Sequence, residues 1–358
     1  MESNIKDTNV RELILRFGWN STCYQLLNPG FDYWIGTSGD STAAYVPFAG
    51  TRVVAGSPVA PLEKLTEAVD EFEADSFSHR LRVCYFASEA QLESVIAARK
   101  GYSIIQLGAQ PVWNPKALVV TMSTKASLRA QLNRAFHKGI IVQEWSAEKA
   151  HRNNELEALL HHWLATRGLP SLHFLVEPET LSNLEDRRIF VAMLNGKAVG
   201  FLNASPIPLR NGWLIEQFVR GPNAPNGTVE TMLQRAAEVF AEERFDYMTL
   251  GLSPLTRNGT VPLPEAPLFI RSLLWLARAH GKRFYNFEGL EFFKTKFEPE
   301  EWEPIFAISR EPHFSIRSLY AIAGAFTQGR PFRTGLHGVG RAIRQEIKTL
   351  FSSAHFFE

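Results

Sequence analysis

The chain has 358 residues, of which 45% are hydrophobic and 12% aromatic, and a formal net charge of +1. This composition describes a well-cored globular protein with room for about two domains, and it excludes a disordered chain or one wrapped in a global basic field. Cys23 and Cys84 are the only cysteines, which excludes a disulfide framework or cysteine metal cluster and suits a reducing cytoplasm.

No apolar run approaches the ~20 residues of a membrane span, and the polar start is unlike a signal peptide, so a cytoplasmic protein is expected. In chain order, Val10 to Arg16 has the period of a short amphipathic helix. Strands are expected over Asp32–Gly36, Ala43–Phe48 and Arg52–Ala55, with Gly39-Asp40 as a turn. Leu62–Phe72 and Ser88–Arg99 read as helices, Leu81–Phe86 as a strand, and Tyr102–Leu107 as a closing strand. This alternation predicts a first mixed-sheet domain over residues 1–122.

Leu128 to Gly139 reads as a helix crowded with charge: Arg129, Arg134, His137 and Lys138, with Lys125 just before it. Such a run is either a solvated face or a phosphate-contacting helix for an RNA acceptor end or a lipid head group. Glu155–Leu164 is amphipathic and carries His161 and His162. Adjacent histidines do not share a helix face and no other ligand stands at metal spacing, so no metal site is expected.

From Arg188 the signals tighten. Ile189–Leu194, Asn195-Gly196 and Ala198–Ala204 form a hairpin with a two-residue turn, and Trp213–Val219 should pair as a third strand. Strand alternation lets only one of Glu216 and Gln217 point inward. Arg220 and the breakers Gly221 to Gly227 follow. A helix then opens at Thr228 with Val229, Met232, Leu233, Ala236, Ala237 and Phe240 on one face, before a short strand at Tyr247–Leu250. A helix N-terminus aimed at a polar turn can hold an anion or developing negative charge. Pro222 and Pro225 remove N–H donors there, which disfavours a coenzyme A cradle. Three strands, a helix and a strand is also the core order of a Gcn5-type acyltransferase domain. A helix over Pro264–Ala279 and a strand over Glu303–Ile308 complete a second domain, residues 123–311. Residues 312–358 interleave Arg317, Arg330, Arg333, Arg341 and Arg344 with apolar positions, as a basic amphipathic helical tail for an anionic membrane surface or for the protein body.

Three motifs in order, Pro225-Asn226-Gly227, Leu250 to Leu255 (LGLSPL) and Phe287 to Trp302 (FEGLEFFKTKFEPEEW), together with the basic helix LRAQLNRAFHKG, resemble the phosphatidylglycerol lysyltransferase C-terminal (DUF2156) family. That family comprises the catalytic domains of lysyl- and alanyl-phosphatidylglycerol synthases. The resemblance implies an α/β (α+β) architecture of tandem Gcn5-like N-acyltransferase (GNAT) folds, with mixed sheets flanked by helices. It also implies an enzyme that takes an aminoacyl group from charged tRNA and esterifies a lipid hydroxyl, phosphatidylglycerol or another membrane lipid. Aminoacyl-tRNA is then a co-substrate and no cofactor is expected. Many members carry Asp-Leu-Met-Arg where this chain has Gln217-Phe218-Val219-Arg220, and they join this domain to a multi-helix membrane region.

An aminoacyl ester is already activated, so the enzyme must position a hydroxyl or amine, remove its proton and stabilise an oxyanion. Glu216 is a candidate base or holder of the donor's α-ammonium, with Gln217 at the family's acidic position. Arg220 and Lys294 are candidates for oxyanion or phosphate contact. The resemblance adds Asn226, Gly227, Glu230, Ser253, Phe287, Lys296 and Arg134 as substrate-binding residues. The alternatives are a GNAT-type acyltransferase or peptidyltransferase with another donor or an amine acceptor, and a tRNA- or lipid-binding module without turnover.

Overall fold

Every strand among the described residues joins one twelve-stranded mixed sheet in a computed structural model that describes residues 2–166, 174–175, 178–262 and 287–327, with the side chains of residues 2–8 and of Phe287 outside the description. The helix expected over Pro264–Ala279 falls outside the described residues, as does the tail beyond residue 327. The first half contributes β1 (Asp32–Ile35), β2 (Thr42–Phe48), β3 (Thr51–Ala55), β4 (Arg82–Ser88) and β5 (Ser103–Trp113). The second contributes β6 (Ile141–Trp145), β7 (Arg188–Leu194), β8 (Lys197–Ile207), β9 (Gly212–Arg220), β10 (Tyr247–Thr249), β11 (Ser253–Pro254) and β12 (Glu301–Ser309).

The two halves repeat one pattern. Antiparallel neighbours lead to a parallel pair, β3 with β4 across helix α2 (Leu65–Ser78), and β9 with β10 across the later helix Thr228–Glu242. The strand order is β1-β2-β3-β4-β12-β5-β10-β9-β8-β7-β6, with β11 beside β5. Each half therefore gives its last long strand to the other: β5 lies against β10, and β12 lies between β4 and β5. The strand expected to close at Leu107 runs on to Trp113 for this reason, because residues 108–112 pair with β12 on one side and Val112 and Trp113 pair with β10 on the other.

The remaining helices, in chain order, are α1 (Glu2–Phe17), α3 (Ala90–Ala97), α4 (Pro115–Thr124), α5 (Ala126–His137), α6 (Ala147–Ala150), α7 (Asn154–Ala165), α8 (Thr228–Glu242), α9 (Phe287–Thr295) and α10 (Ile316–Phe326). Helix α8 buries the face its period announced. Met232, Leu233, Ala236, Ala237 and Phe240 are buried, and Trp213 of β9 stacks on Phe240 with ring centroids 5.2 Å apart. Each large side chain so buried contributes roughly 1.5–3 kcal/mol.

Helix α10 belongs to the body of the protein. Ala321, Ile322 and Ala325 are buried, and a Cβ on Gly324 would fall 2.0 Å from the Phe48 ring. Over residues 312–327, then, the tail packs on the protein. Gly324→Ala, a change that stabilises an ordinary helix interior, is expected here to destabilise the protein by roughly 1–3 kcal/mol through overpacking. A thermal melt checks this, and an unchanged or higher midpoint would mean that α10 is not seated on β2.

Candidate active site

The parallel ladder of β9 and β10 ends at Leu214–Thr249. Two residues further on, each strand carries a polar group of the site: Glu216 on β9, and on the other side Gly251, whose carbonyl holds Lys294. A crevice beyond the carboxyl ends of parallel strands is the place where α/β sheets accept ligands.

On β9 the register shifts. Asn203 pairs with Gln217 and Ala204 with Ile215, which leaves Glu216 as an extra residue, a β-bulge. The bulge breaks the period of two, so the expectation that only one of Glu216 and Gln217 turns inward is corrected: both find partners within the protein. The Glu216 carboxylate receives Nε and Nη2 of Arg187 at 2.7 and 3.2 Å, with side chains only 8% and 2% exposed. Arg187 also donates to the Asn183 carbonyl at 2.6 Å and lies over the Tyr24 ring. Gln217 Oε1 accepts from Thr180 Oγ1 at 2.7 Å.

Beside them Asn203 is buried, and neither its Oδ1 nor its Nδ2 has a protein partner among the described residues. Arg187, Thr180 and Asn203 were not among the sequence candidates. Asn203 left a signal in the sequence, a lone amide inside the apolar run of β8. The other two left none, because burial and a partner 29 or 37 residues away are invisible in the linear pattern.

Lys294 lies on α9, in the motif Phe287–Trp302, and is 3% exposed. Its Nζ donates to the carbonyls of Gly251 (2.7 Å) and Leu252 (2.9 Å), and no carboxylate pairs with it among the described residues. Burial without a counter-ion disfavours the ammonium form and pulls its pKa down to about 7. The Ser253 hydroxyl, next in the chain, is buried and lacks a protein partner among the described residues. The loop is fastened to α9 by Thr256 and Asn258, both donating to Glu291. Phe293 of α9 packs on Phe218 of β9 with centroids 5.8 Å apart. The two motifs thus meet just beyond the end of the β9–β10 ladder.

The other candidates are placed as follows. Lys296, just past α9, and Glu230 in the first turn of α8 form an ion pair, so they bind each other and tie the third motif to the helix that follows the first. Arg220 is exposed; its Nη2 donates to the Ala224 carbonyl (2.7 Å) and Asn226 Oδ1 (3.3 Å), which braces the proline-rich turn. Arg134 lies on the outer face of α5, bonded to its own helix at Ala130. The Phe287 side chain lies outside the described residues.

The start of α8 is not the open anion site that the sequence suggested. Gly227 has φ +95° and is buried under α5, where a Cβ would sit 2.2 Å from the Gln131 carbonyl oxygen. The Thr228 N–H and hydroxyl both turn back to the Pro225 carbonyl. The structure therefore gives Gly227 a packing role: only glycine permits that conformation and that approach.

Comparison with known proteins completes the description. The family model described as Phosphatidylglycerol lysyltransferase, C-terminal, matches residues 11–309. A phosphatidylglycerol lysyltransferase of Bacillus subtilis (strain 168) is 22% identical over 276 residues, 75% of this chain and 31% of the relative. One from Staphylococcus xylosus is 20% identical over 317 residues, 86% of this chain and 36% of the relative. The chain thus spans about a third of the length of these curated relatives. Among solved structures, a C-terminal DUF2156 domain from Agrobacterium fabrum superposes with a TM-score of 0.74 at 20% identity, covering 91% of this chain and 98% of that one. The structure of L-PGS from Bacillus licheniformis gives 0.73 at 20% identity, covering 89% and 95%. At these identities the likeness establishes the fold.

Proposed function

We propose, for a chain that belongs to the phosphatidylglycerol lysyltransferase C-terminal family, that it is an aminoacyltransferase moving an aminoacyl group from charged tRNA onto a membrane-lipid hydroxyl, with phosphatidylglycerol as the first acceptor to test. The observation that carries this reading is Lys294: a buried amine without a counter-ion among the described residues, held by two carbonyls just beyond the end of the β9–β10 ladder.

With its pKa near 7, a large fraction of Lys294 is neutral at physiological pH, and its lone pair can accept a proton. The acceptor hydroxyl gives its proton to Lys294 Nζ while its oxygen attacks the ester carbonyl carbon. The tetrahedral intermediate then collapses, the bond from that carbon to the tRNA ribose oxygen breaks, and the ribose oxygen takes the proton back. No further reactant is needed, because the ester is already activated. Glu216, charge-balanced by Arg187, keeps lone pairs that can orient the donor's α-ammonium. The Asn203 amide, whose two polar atoms lack a protein partner among the described residues, can hydrogen-bond the aminoacyl group. Arg220, which is exposed and uses only Nη2 in its bonds to the turn among the described residues, suits a phosphate of donor or acceptor.

The test incubates purified protein with mixtures of charged tRNA and lipid vesicles and looks for aminoacylated lipid by mass spectrometry. Arg220→Ala is expected to reduce product about 100-fold. Full activity of that variant would remove Arg220 from the site, and no product with any charged tRNA would overturn the reaction class.

A further inference from the structure

Large apolar side chains stand out of the surface at the corner where α5 turns into β6. Phe136 is 74% and Ile141 62% exposed. The corner is rigid: Gly139 (φ +83°) closes a Schellman turn in which the Ile140 N–H reaches the Ala135 carbonyl and the Gly139 N–H the Phe136 carbonyl. β6 then pairs with β7, Ile141 opposite Met193. Ordered backbone on both sides therefore holds these side chains largely in water, Phe136 meeting the neighbouring His137 ring edge-on at 5.8 Å, which is a cost in the free chain.

Their surroundings carry several cations, with a carboxylate, Glu155, held on the Ala198 N–H beside Lys197. His137 and Lys138 are exposed within the corner, and Arg129 lies two turns back on the Phe136 side of α5. Leu194 packs on Gly139, and at the tip of the same β7–β8 hairpin Lys197 is exposed. Behind the hairpin opens a groove of about 350 Å³, lined by Leu159, Leu194, Ala198, Val199 and Pro222, with Lys197 at its edge. Its far wall, Gly221 to Asn223, is the turn that Arg220 braces. Helix α5 meets that turn again where Gln131 covers Gly227. The protruding side chains, the cations and the groove thus share one end of the second half's sheet.

We infer that this corner docks on an anionic phospholipid bilayer: Phe136 and Ile141 enter the interfacial layer while Lys138 and Lys197 meet lipid phosphates. Charge and shape select this occupant. Two apolar tips flanked by lysines beside an aliphatic groove fit a surface with anionic heads over hydrocarbon. Single-stranded RNA would be read by stacking on successive aromatic faces; Phe136 beside His137 supplies one such face, while Ile141 and the mainly aliphatic groove favour hydrocarbon. The inference goes beyond the transfer reaction and needs no substrate, so each can fail while the other stands.

The test is flotation of the full chain with phosphatidylcholine vesicles, with and without phosphatidylserine, an anionic lipid that is not the proposed acceptor. The chain is expected to float with the anionic vesicles, and Phe136→Ser/Ile141→Ser to lower the partition coefficient about thirtyfold. Lys138→Glu/Lys197→Glu should remove the salt-sensitive part of binding. Because these side chains are exposed, the variants should keep the wild-type circular dichroism. A second variant, Phe136→Trp, should show blue-shifted emission on adding anionic vesicles. Wild-type protein that stays at the bottom of the gradient overturns the proposal. So does a Phe136→Ser/Ile141→Ser variant that floats equally well, or one whose defect appears only in RNA binding or in self-association.

Discussion

Replacing Lys294 with Met should lower aminoacyl transfer by roughly 100- to 1000-fold and abolish one pH dependence of stability. The folded-state pKa lies near 7 against an ordinary 10.5, so the fold disfavours the charged amine. Between about pH 7 and 10.5 the unfolded chain holds a proton that the folded chain has released. The Lys294 contribution therefore makes stability rise with pH through that window, and below pH 7 its penalty is complete and constant. The full swing is on the order of 5 kcal/mol. Urea midpoints at pH 6, 8 and 10 should rise in the wild type and lose this component in Lys294→Met. The transfer rate should rise with pH through about 7, because the neutral amine is the base. A rate that instead falls through that range would assign the protonated amine to the oxyanion, and identical midpoints at all three pH values would show that the amine is not desolvated.

Arg187→Met should cost about 3–5 kcal/mol, because it leaves the Glu216 carboxylate buried and unpaired. Replacing both partners with Met removes the uncompensated charge as well. The double variant should regain much of that stability while transfer stays lost. Denaturant midpoints for both single variants and the double give the coupling through a mutant cycle. Additive costs would mean that the pair is not coupled in the fold. Normal transfer by the double variant would remove Glu216 from the reaction.

Much of this architecture was legible because it is written locally. The Asn195-Gly196 hairpin, the buried stripe of α8 and the basic stretch of α5 are encoded by residues within a few positions of each other. The three motifs also identified the family, and the family brought the fold. Other features rest on residues far apart in sequence. β5 reads as a strand ending at Leu107, because Gly108 and Gln110 look like a stop until β12 arrives from nearly 200 residues away to pair with them. The Glu216 bulge adds one residue to a strand whose composition does not reveal it.

Site chemistry divides in the same way. From sequence, Glu230 and Lys296 were attractive substrate ligands, and in the fold they neutralise each other. Gly227 suggested a donor-rich turn, and α5 covers it. Lys294 was one cationic candidate among several until its burial became visible, since nothing near it in the chain sets its ionisation. Sequence by itself determined most of the strands and helices, though not the helix Pro115–Thr124 or the end of β5, together with the family and its three motifs, because periodicity and turn chemistry act over a few residues. Tertiary structure alone decided the exchange of β5 and β12, the partners of Glu216 and the pKa of Lys294. Pairing, burial and dielectric environment depend on which distant segments meet, and a one-dimensional pattern does not encode that meeting.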